Sequence, residues 1–142
     1  MKSISTLVLL AILTGLLLCF AGVARAQLVV HDGDSLKINN LKIRLWAIDA
    51  PELSQTCANG FEAGAYAKAV LTGLLQARQM VWCKPAGPRF KRGPEVSGGF
   101  GQLDRYGRTL ATCFADGLDV GAELVRQGLA WDYTRYSGGA YA

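Results

Sequence analysis

The sequence predicts a mainly β domain with helices: five strands forming a small barrel, a helix between strands three and four, and a short helix after strand five. Three observations predict it. Apolar residues recur at every second position from Leu41 to Ala47, the period of a half-buried strand. The period changes to a helical one between Asn59 and about Arg78. Asn, Asp, Gly and Pro gather between the periodic segments, where turns are expected.

The chain opens MKSISTLVLLAILTGLLLCFAGVARA. Lys2, a Leu-rich run and Ala24-Arg25-Ala26 form the three zones of a signal peptide over residues 1–26, with cleavage expected after Ala26. The competing expectation is an uncleaved anchor, because the run from Leu7 to Ala24 nearly spans a bilayer. Cleavage sends the protein to the periplasm or outside the cell. It leaves 116 residues, enough for one domain with a single core. Lys2 and Arg25 leave with the peptide, so 13 basic residues remain against 11 acidic ones, about +2. That charge is too weak by itself to argue for nucleic acid.

Residues 27–49, QLVVHDGDSLKINNLKIRLWAID, read as three strands with turns between them. Leu28-Val29-Val30 is the first, and Asp32-Gly33-Asp34 is a turn. Asn39-Asn40 suits a tight hairpin, since Asn tolerates positive φ. That hairpin pairs Ile38 with Leu41, Lys37 with Lys42, and Ser35 with Arg44. Leu41, Ile43, Leu45 and Ala47 are taken as core; Lys42, Arg44 and Trp46 face the other way. In the helix, Phe61, Ala65, Ala69 or Val70, and Leu74 fall at helical spacing, and Asn59 with Glu62 resembles a capping pair. QMVWC, 79–83, is the fourth strand. A Pro- and Gly-rich loop follows over 84–102, made basic by Lys84, Arg89, Lys91 and Arg92. GRTLATCFADG, 107–117, is the fifth strand. Asp119 caps a short helix that Gly128 stops. The order is that of an OB-type barrel, although many α+β domains share it.

Two carboxylates stand out against this frame. Asp34 has the parity of Leu36 and Ile38, and Asp49 that of Leu41, Ile43, Leu45 and Ala47, so both are expected to point toward the core side just past the apolar row. Two such charges repel by about 4 kcal/mol at ~4 Å and an effective dielectric near 20. A hard divalent cation removes that penalty, and oxygen ligands suit calcium or magnesium. His31 is the single histidine and cysteine is scarce, which argues against zinc. Arg44 stands beside Asp34 in the hairpin. It either neutralises that carboxylate or, with Lys37 opposite Lys42, faces a polyanion. Arg108 shares the parity of Leu110, Thr112 and Phe114 and is expected at the same rim. Its planar fork suits a phosphate, and Tyr106 adds a ring and a hydroxyl.

Three fragments occur in order: Asp32-Gly33-Asp34-Ser35, Arg44-Leu45-x-x-Ile48-Asp49-Ala50-Pro51-Glu52, and Asp104-Arg105-Tyr106-Gly107-Arg108-x-Leu110-Ala111. Together they resemble the staphylococcal nuclease-like (thermonuclease) family, and ELVRQGLAW, 123–131, is similar to the stretch after that family's last barrel strand. The resemblance covers nearly all of 28–136, within a domain of 27–142. It implies that Asp34 and Asp49 hold Ca2+ by their carboxylates, with the Ala50 carbonyl beside them. Glu52 would be the general base, and Arg44 and Arg108 would grip the scissile phosphate. Tyr106 would lie near a neighbouring phosphate, and Tyr136 resembles an aromatic lining the nucleotide pocket. The implied reaction is calcium-dependent hydrolysis of DNA or RNA phosphodiesters by a monomer without a stable protein partner or a membrane contact after cleavage.

Two other functions compete. One is a non-catalytic OB-type module binding single strands or protein. The other is an inactive truncated homologue, because the sequence ends at Ala142 where family members usually continue into another helix. Cys83 and Cys113, in strands four and five, are the expected disulfide in an oxidising compartment, and Cys57 has no obvious partner. His31, Trp46, Trp82 and Trp131 are expected to be structural.

Overall fold

The computed structural model describes residues 26–86 and 102–141. The segment expected to be a signal peptide, apart from Ala26, and the basic residues Arg89, Lys91 and Arg92 lie outside the described residues. β1 (Leu28–Val30), β2 (Ser35–Ile38) and β3 (Leu41–Leu45) form an antiparallel meander. Asn39 takes positive φ in the hairpin turn, and the register is Ser35 to Arg44, Lys37 to Lys42 and Ile38 to Leu41. β4 (Ile48–Asp49) pairs with the distant β8 (Trp131–Asp132). β5 (Val81–Pro85) runs antiparallel to β6 (Thr109–Ala115), which lies parallel to β3 and carries the short β7 (Leu118–Asp119). Three helices complete the described chain: α1 (Ala63–Gln76), α2 (Val120–Arg126) and α3 (Thr134–Ser137).

The main sheet therefore has six strands, in the path β1-β2-β3-β6-β5 with β7 on β6. Among the described residues it does not close into the five-stranded barrel the sequence suggests. β1 and β5 stay apart as edges, separated by a cavity of about 570 Å³ lined by Leu28 and Ile38 on one side and Met80 and Val81 on the other. Leu75 of α1 also lines it, so a helix stands where a strand pair would seal a barrel. The core beneath the sheet is Leu36, Ile43, Leu45, Ile48, Leu71, Val120 and Leu124. Among the described residues no helix is long and apolar enough to cross a membrane.

Four local expectations are corrected. Ala47 is buried as expected, but the third strand stops at Leu45, because Trp46 and Ala47 turn and Ala47 adopts φ +63°. That left-handed residue resets the parity, so Ile48 enters the core and Asp49 faces solvent. The helix is rotated by one position from the expected phase: Gly64, Ala67, Leu71 and Leu75 are buried, while Phe61 lies outside it against Tyr66, ring centroids 5.4 Å apart. Asn59 does not cap α1; its Oδ1 accepts the Phe61 N–H in a local turn (3.0 Å), and Glu62 makes no side-chain cap bond. On β6 the core side is Thr109, Ala111, Cys113 and Ala115, so Arg108 continues the opposite face, where Phe114 stacks on Trp82.

The end of the fold follows the sequence closely. Asp119 caps α2 by accepting the Ala122 N–H at 3.1 Å. Gly128, at φ +71°, lets its own N–H reach the Val125 carbonyl and that of Leu129 reach the Leu124 carbonyl, satisfying two orphan acceptors. Cys83 and Cys113 stand directly opposite each other on β5 and β6 and are joined by a disulfide, with Cys57 free and exposed. Closing a span of 30 residues, the bridge contributes about 3–4 kcal/mol by restricting the unfolded chain. Reduction of the full chain should expose two more thiols and lower the unfolding free energy from a urea melt by that amount; a thiol titration that does not rise on reduction excludes the bridge.

Candidate active site

The loop after β1 is organised by Asp32. Its Oδ1 accepts the N–H groups of Asp34 (3.0 Å) and Ser35 (2.7 Å), and its Oδ2 accepts the Ser35 hydroxyl (2.7 Å). Gly33 makes the loop fit. A Cβ there would lie 2.7 Å from the Ala50 Cβ and 2.8 Å from the Ala67 Cβ. Asp34 is thereby pressed into the protein, 2% exposed, and its Oδ2 accepts the Ala50 N–H at 2.9 Å.

Arg44 joins the two carboxylates. One terminal nitrogen donates to Asp34 Oδ1, and the other donates to Asp49 Oδ1 at 2.8 Å and to the Ile48 carbonyl at 3.3 Å. Asp34 and Asp49 thus converge on one guanidinium, the first buried and the second half in solvent. Burial raises the Asp34 pKa to about 7, although Arg44 and the Ala50 N–H pull it down. The single positive charge of Arg44 does not offset the loss of water around that carboxylate.

The donor set fits a hard cation. Two carboxylates are brought to the same guanidinium, and a carboxylate oxygen that accepts from Arg44 keeps a further lone pair. Among the described residues no group of three or more His, Cys, Asp or Glu side chains gathers to hold a metal. Calcium tolerates such a short list because it accepts backbone carbonyl and water oxygens.

Arg44 also lines a cleft of about 370 Å³, together with Asp32, Lys42, Glu52, Tyr106 and Arg108. Arg108 is held by Asp104: its backbone N–H donates to Oδ1 (2.9 Å) and its Nε to Oδ2 (2.7 Å), while the Tyr106 N–H donates to Oδ1 (2.8 Å). Although burial opposes it, these bonds hold the Asp104 carboxyl below the usual carboxylate range. The Arg108 guanidinium lies over the Tyr106 ring, 5.3 Å from its centroid. Its two terminal nitrogens make no protein hydrogen bond among the described residues, so both remain available to an anion. Glu52 is exposed, and its carboxylate likewise makes no hydrogen bond among the described residues.

The structure brings Arg44, Glu52, Tyr106 and Arg108 to one cleft, with Asp34, Asp49 and Ala50 linked to it through Arg44 and Asp34. It does not bring Tyr136 there. That ring lies on α3, edge-to-face against Tyr133 at 4.8 Å. Asp32, Lys42 and Asp104 enter the site although the sequence assigns them no role there: Asp32 occurs as a turn residue and within a matching fragment, Asp104 only within a matching fragment, and Lys42 as half of a like-charge pair. The signals were present: an Asp-x-Asp turn, and an acid four residues before Arg108.

Glu52 is positioned by contact of backbone with backbone. A Cβ on Gly64 would lie 1.8 Å from the Glu52 carbonyl oxygen and 2.8 Å from the Leu53 Cα. Gly64→Ala should therefore cost about 1–3 kcal/mol in a denaturant melt, as overpacking does. Gly73→Ala on the same helix, where an added Cβ meets nothing within 4 Å, should instead stabilise by about 0.4–1 kcal/mol. Equal effects at the two positions would remove the assigned contact.

A family model described as staphylococcal nuclease homologue matches residues 42–141. The chain is similar to a succinoglycan biosynthesis protein, ExoI, of Rhizobium meliloti, 34% identical over 149 aligned positions covering 99% of this chain and 70% of that protein. It is also similar to an uncharacterized endonuclease of Haemophilus influenzae, 32% identical over 113 positions, and to another of Escherichia coli O157:H7, 31% identical over 113. Those matches cover 76% of this chain but only 51% and 60% of the two endonucleases.

Proposed function

The chain belongs to the staphylococcal nuclease homologue family, and from that premise we propose that it is a calcium-dependent nuclease hydrolysing phosphodiester bonds of DNA, RNA or both. One observation supports this above the others: Arg44, Arg108 and the Glu52 carboxylate line one cleft, and Arg44 also bridges the acids Asp34 and Asp49. A nucleic-acid substrate agrees with the endonuclease names of two relatives.

In this reading the scissile phosphate lies between Arg44 and Arg108. A diester phosphate is anionic and repels a hydroxide-like nucleophile, so the site must present positive charge where negative charge develops. Arg108 has its Nε fixed on Asp104, which leaves the terminal nitrogens oriented for the phosphoryl oxygens. Glu52 takes a proton from the attacking water, whose oxygen bonds to phosphorus as the bond to the 5′ oxygen breaks. Tyr106 stands beside Arg108 at the next phosphate. Asp34 and Asp49, with the Ala50 carbonyl, would hold calcium, which when bound supplies a further positive charge at the phosphate.

Digestion of plasmid and RNA should proceed with calcium and stop with chelator. Arg108→Ala should lower kcat roughly 10²–10⁴-fold with the fold retained. Glu52→Gln should lose a similar order while calcium still raises its melting temperature. An undiminished rate in either variant would overturn its assigned role. The signal-peptide pattern supports export to the periplasm or beyond, and the Cys83–Cys113 bridge agrees with an oxidising compartment. N-terminal sequencing of expressed protein should begin at Gln27, and an intact Met1 on protein recovered from the membrane would refute cleavage.

A further inference from the structure

Trp131 is 64% exposed, and among the described residues no other aromatic ring stacks on it. Trp82, by contrast, is stacked on Phe114. Water gains nothing from a bare indole, and any polar residue would serve as well on a solvent-facing strand position. The register of the short β4–β8 ribbon says where this ring stands. Trp131 is paired directly with Asp49, and Ile48 with Asp132. Residues directly opposed in an antiparallel pair project from the same face, with Cβ atoms about 4.5–5.5 Å apart. Ile48 is buried and the Asp132 carboxylate oxygens are buried with it, so Asp49 and Trp131 share the outward face. The Asp49 carboxylate in turn accepts from Arg44, a residue of the cleft. The indole therefore rises one side chain away from a cleft guanidinium.

The surroundings select a ligand. Two further exposed rings, Tyr133 and Tyr136, follow Trp131 in the chain, and Arg135 stands between them in sequence. On the cleft side lie Lys42, Arg44 and Arg108. Cationic groups flanked by an exposed ring are the elements with which proteins hold single-stranded nucleic acid: the charges track the backbone and the ring receives a base. A base inside a duplex keeps both of its faces stacked and offers none to the indole.

We propose that Trp131 is a base-stacking residue, receiving an unpaired base of the strand whose phosphate lies between Arg44 and Arg108. The inference rests on the nuclease reading and adds a substrate contact to it. The test uses the full chain carrying Glu52→Gln, with calcium present, binding a short fluorescent single-stranded DNA oligonucleotide and the same sequence annealed to its complement. Trp131→Ala in that background should weaken single-strand binding roughly tenfold, within the range for loss of one stacked base. Trp131→Phe should stay near the parent, and duplex affinity should hardly move. With Glu52 restored, Trp131→Ala should raise KM on the single strand and leave kcat nearly unchanged. Unchanged single-strand affinity, an equal loss on duplex, or a Phe variant as weak as Ala would each overturn the proposal. So would a Trp131→Ala change confined to the sedimentation of the ligand-free protein, which would mean that the ring covers a second copy. If the unmutated chain neither binds nor cuts nucleic acid, the nuclease reading itself falls. If it does both and Trp131→Ala matches it, only the stacking role is lost.

Discussion

The bridge of Asp34 to Asp49 through Arg44 is the interaction on which the rest of the site depends. Asp34 has been taken out of water, and a buried carboxylate persists only when charge and hydrogen bonds are supplied to it. Arg44 and the Ala50 N–H supply them. In doing so they fasten three separate pieces of chain together: the loop after β1, the outer face of β3 and the turn into β4. The guanidinium that would grip a phosphate is thus fixed by the acids that would hold a cation. Stability and chemistry draw on the same few atoms, so loss of Arg44 would leave the buried Asp34 carboxylate without its countercharge.

Close backbone approach is the second constraint. Gly33 lets the Asp34 loop touch Ala50 and Ala67, and Gly64 lets the start of α1 press against the Glu52 carbonyl. α1 is therefore more than a cover for the core. One face of the same helix packs under the metal-ligand candidate and its first turn sets the height of the base candidate. Asp104 performs the equivalent service for Arg108, using one carboxylate to close the turn and aim the guanidinium. Arg44, Glu52 and Arg108 are each positioned by residues outside the lining of the cleft: Asp34 and Asp49, Gly64, and Asp104.

The open sheet suits this arrangement. With β1 and β5 not paired to each other, the gap between them is lined by Leu75 of α1 and is not closed by strand pairing. The Cys83–Cys113 bridge ties β5 to β6. The strands bearing Arg44 and the chain entering Arg108 lie side by side in the parallel β3–β6 pair, with Arg44 opposite Leu110. That single parallel pairing brings the two arginines, far apart in sequence, to one mouth.

Local patterns in the sequence were enough for the meander, its register, the α2 cap and its glycine stop. Each depends on neighbours within a few residues: an Asn-Asn turn fixes a two-residue hairpin, and an Asp side chain reaches its own helix start. The burial of Asp34 also follows, because its parity with Leu36 is uninterrupted. The parity of Asp49 does not follow, since a positive-φ alanine at position 47 inverts the strand's two faces. The phase of α1 is likewise undetermined by spacing alone; which of two adjacent stripes is buried depends on where Glu52 and Leu53 press against Gly64. The residue types of a nuclease centre were legible, as were the motifs that order them. Their convergence, the open sheet, the clamp through Arg44 and the bare face of Trp131 were decided only by the fold, because each arises from contacts between segments whose separation along the chain carries no periodic signal.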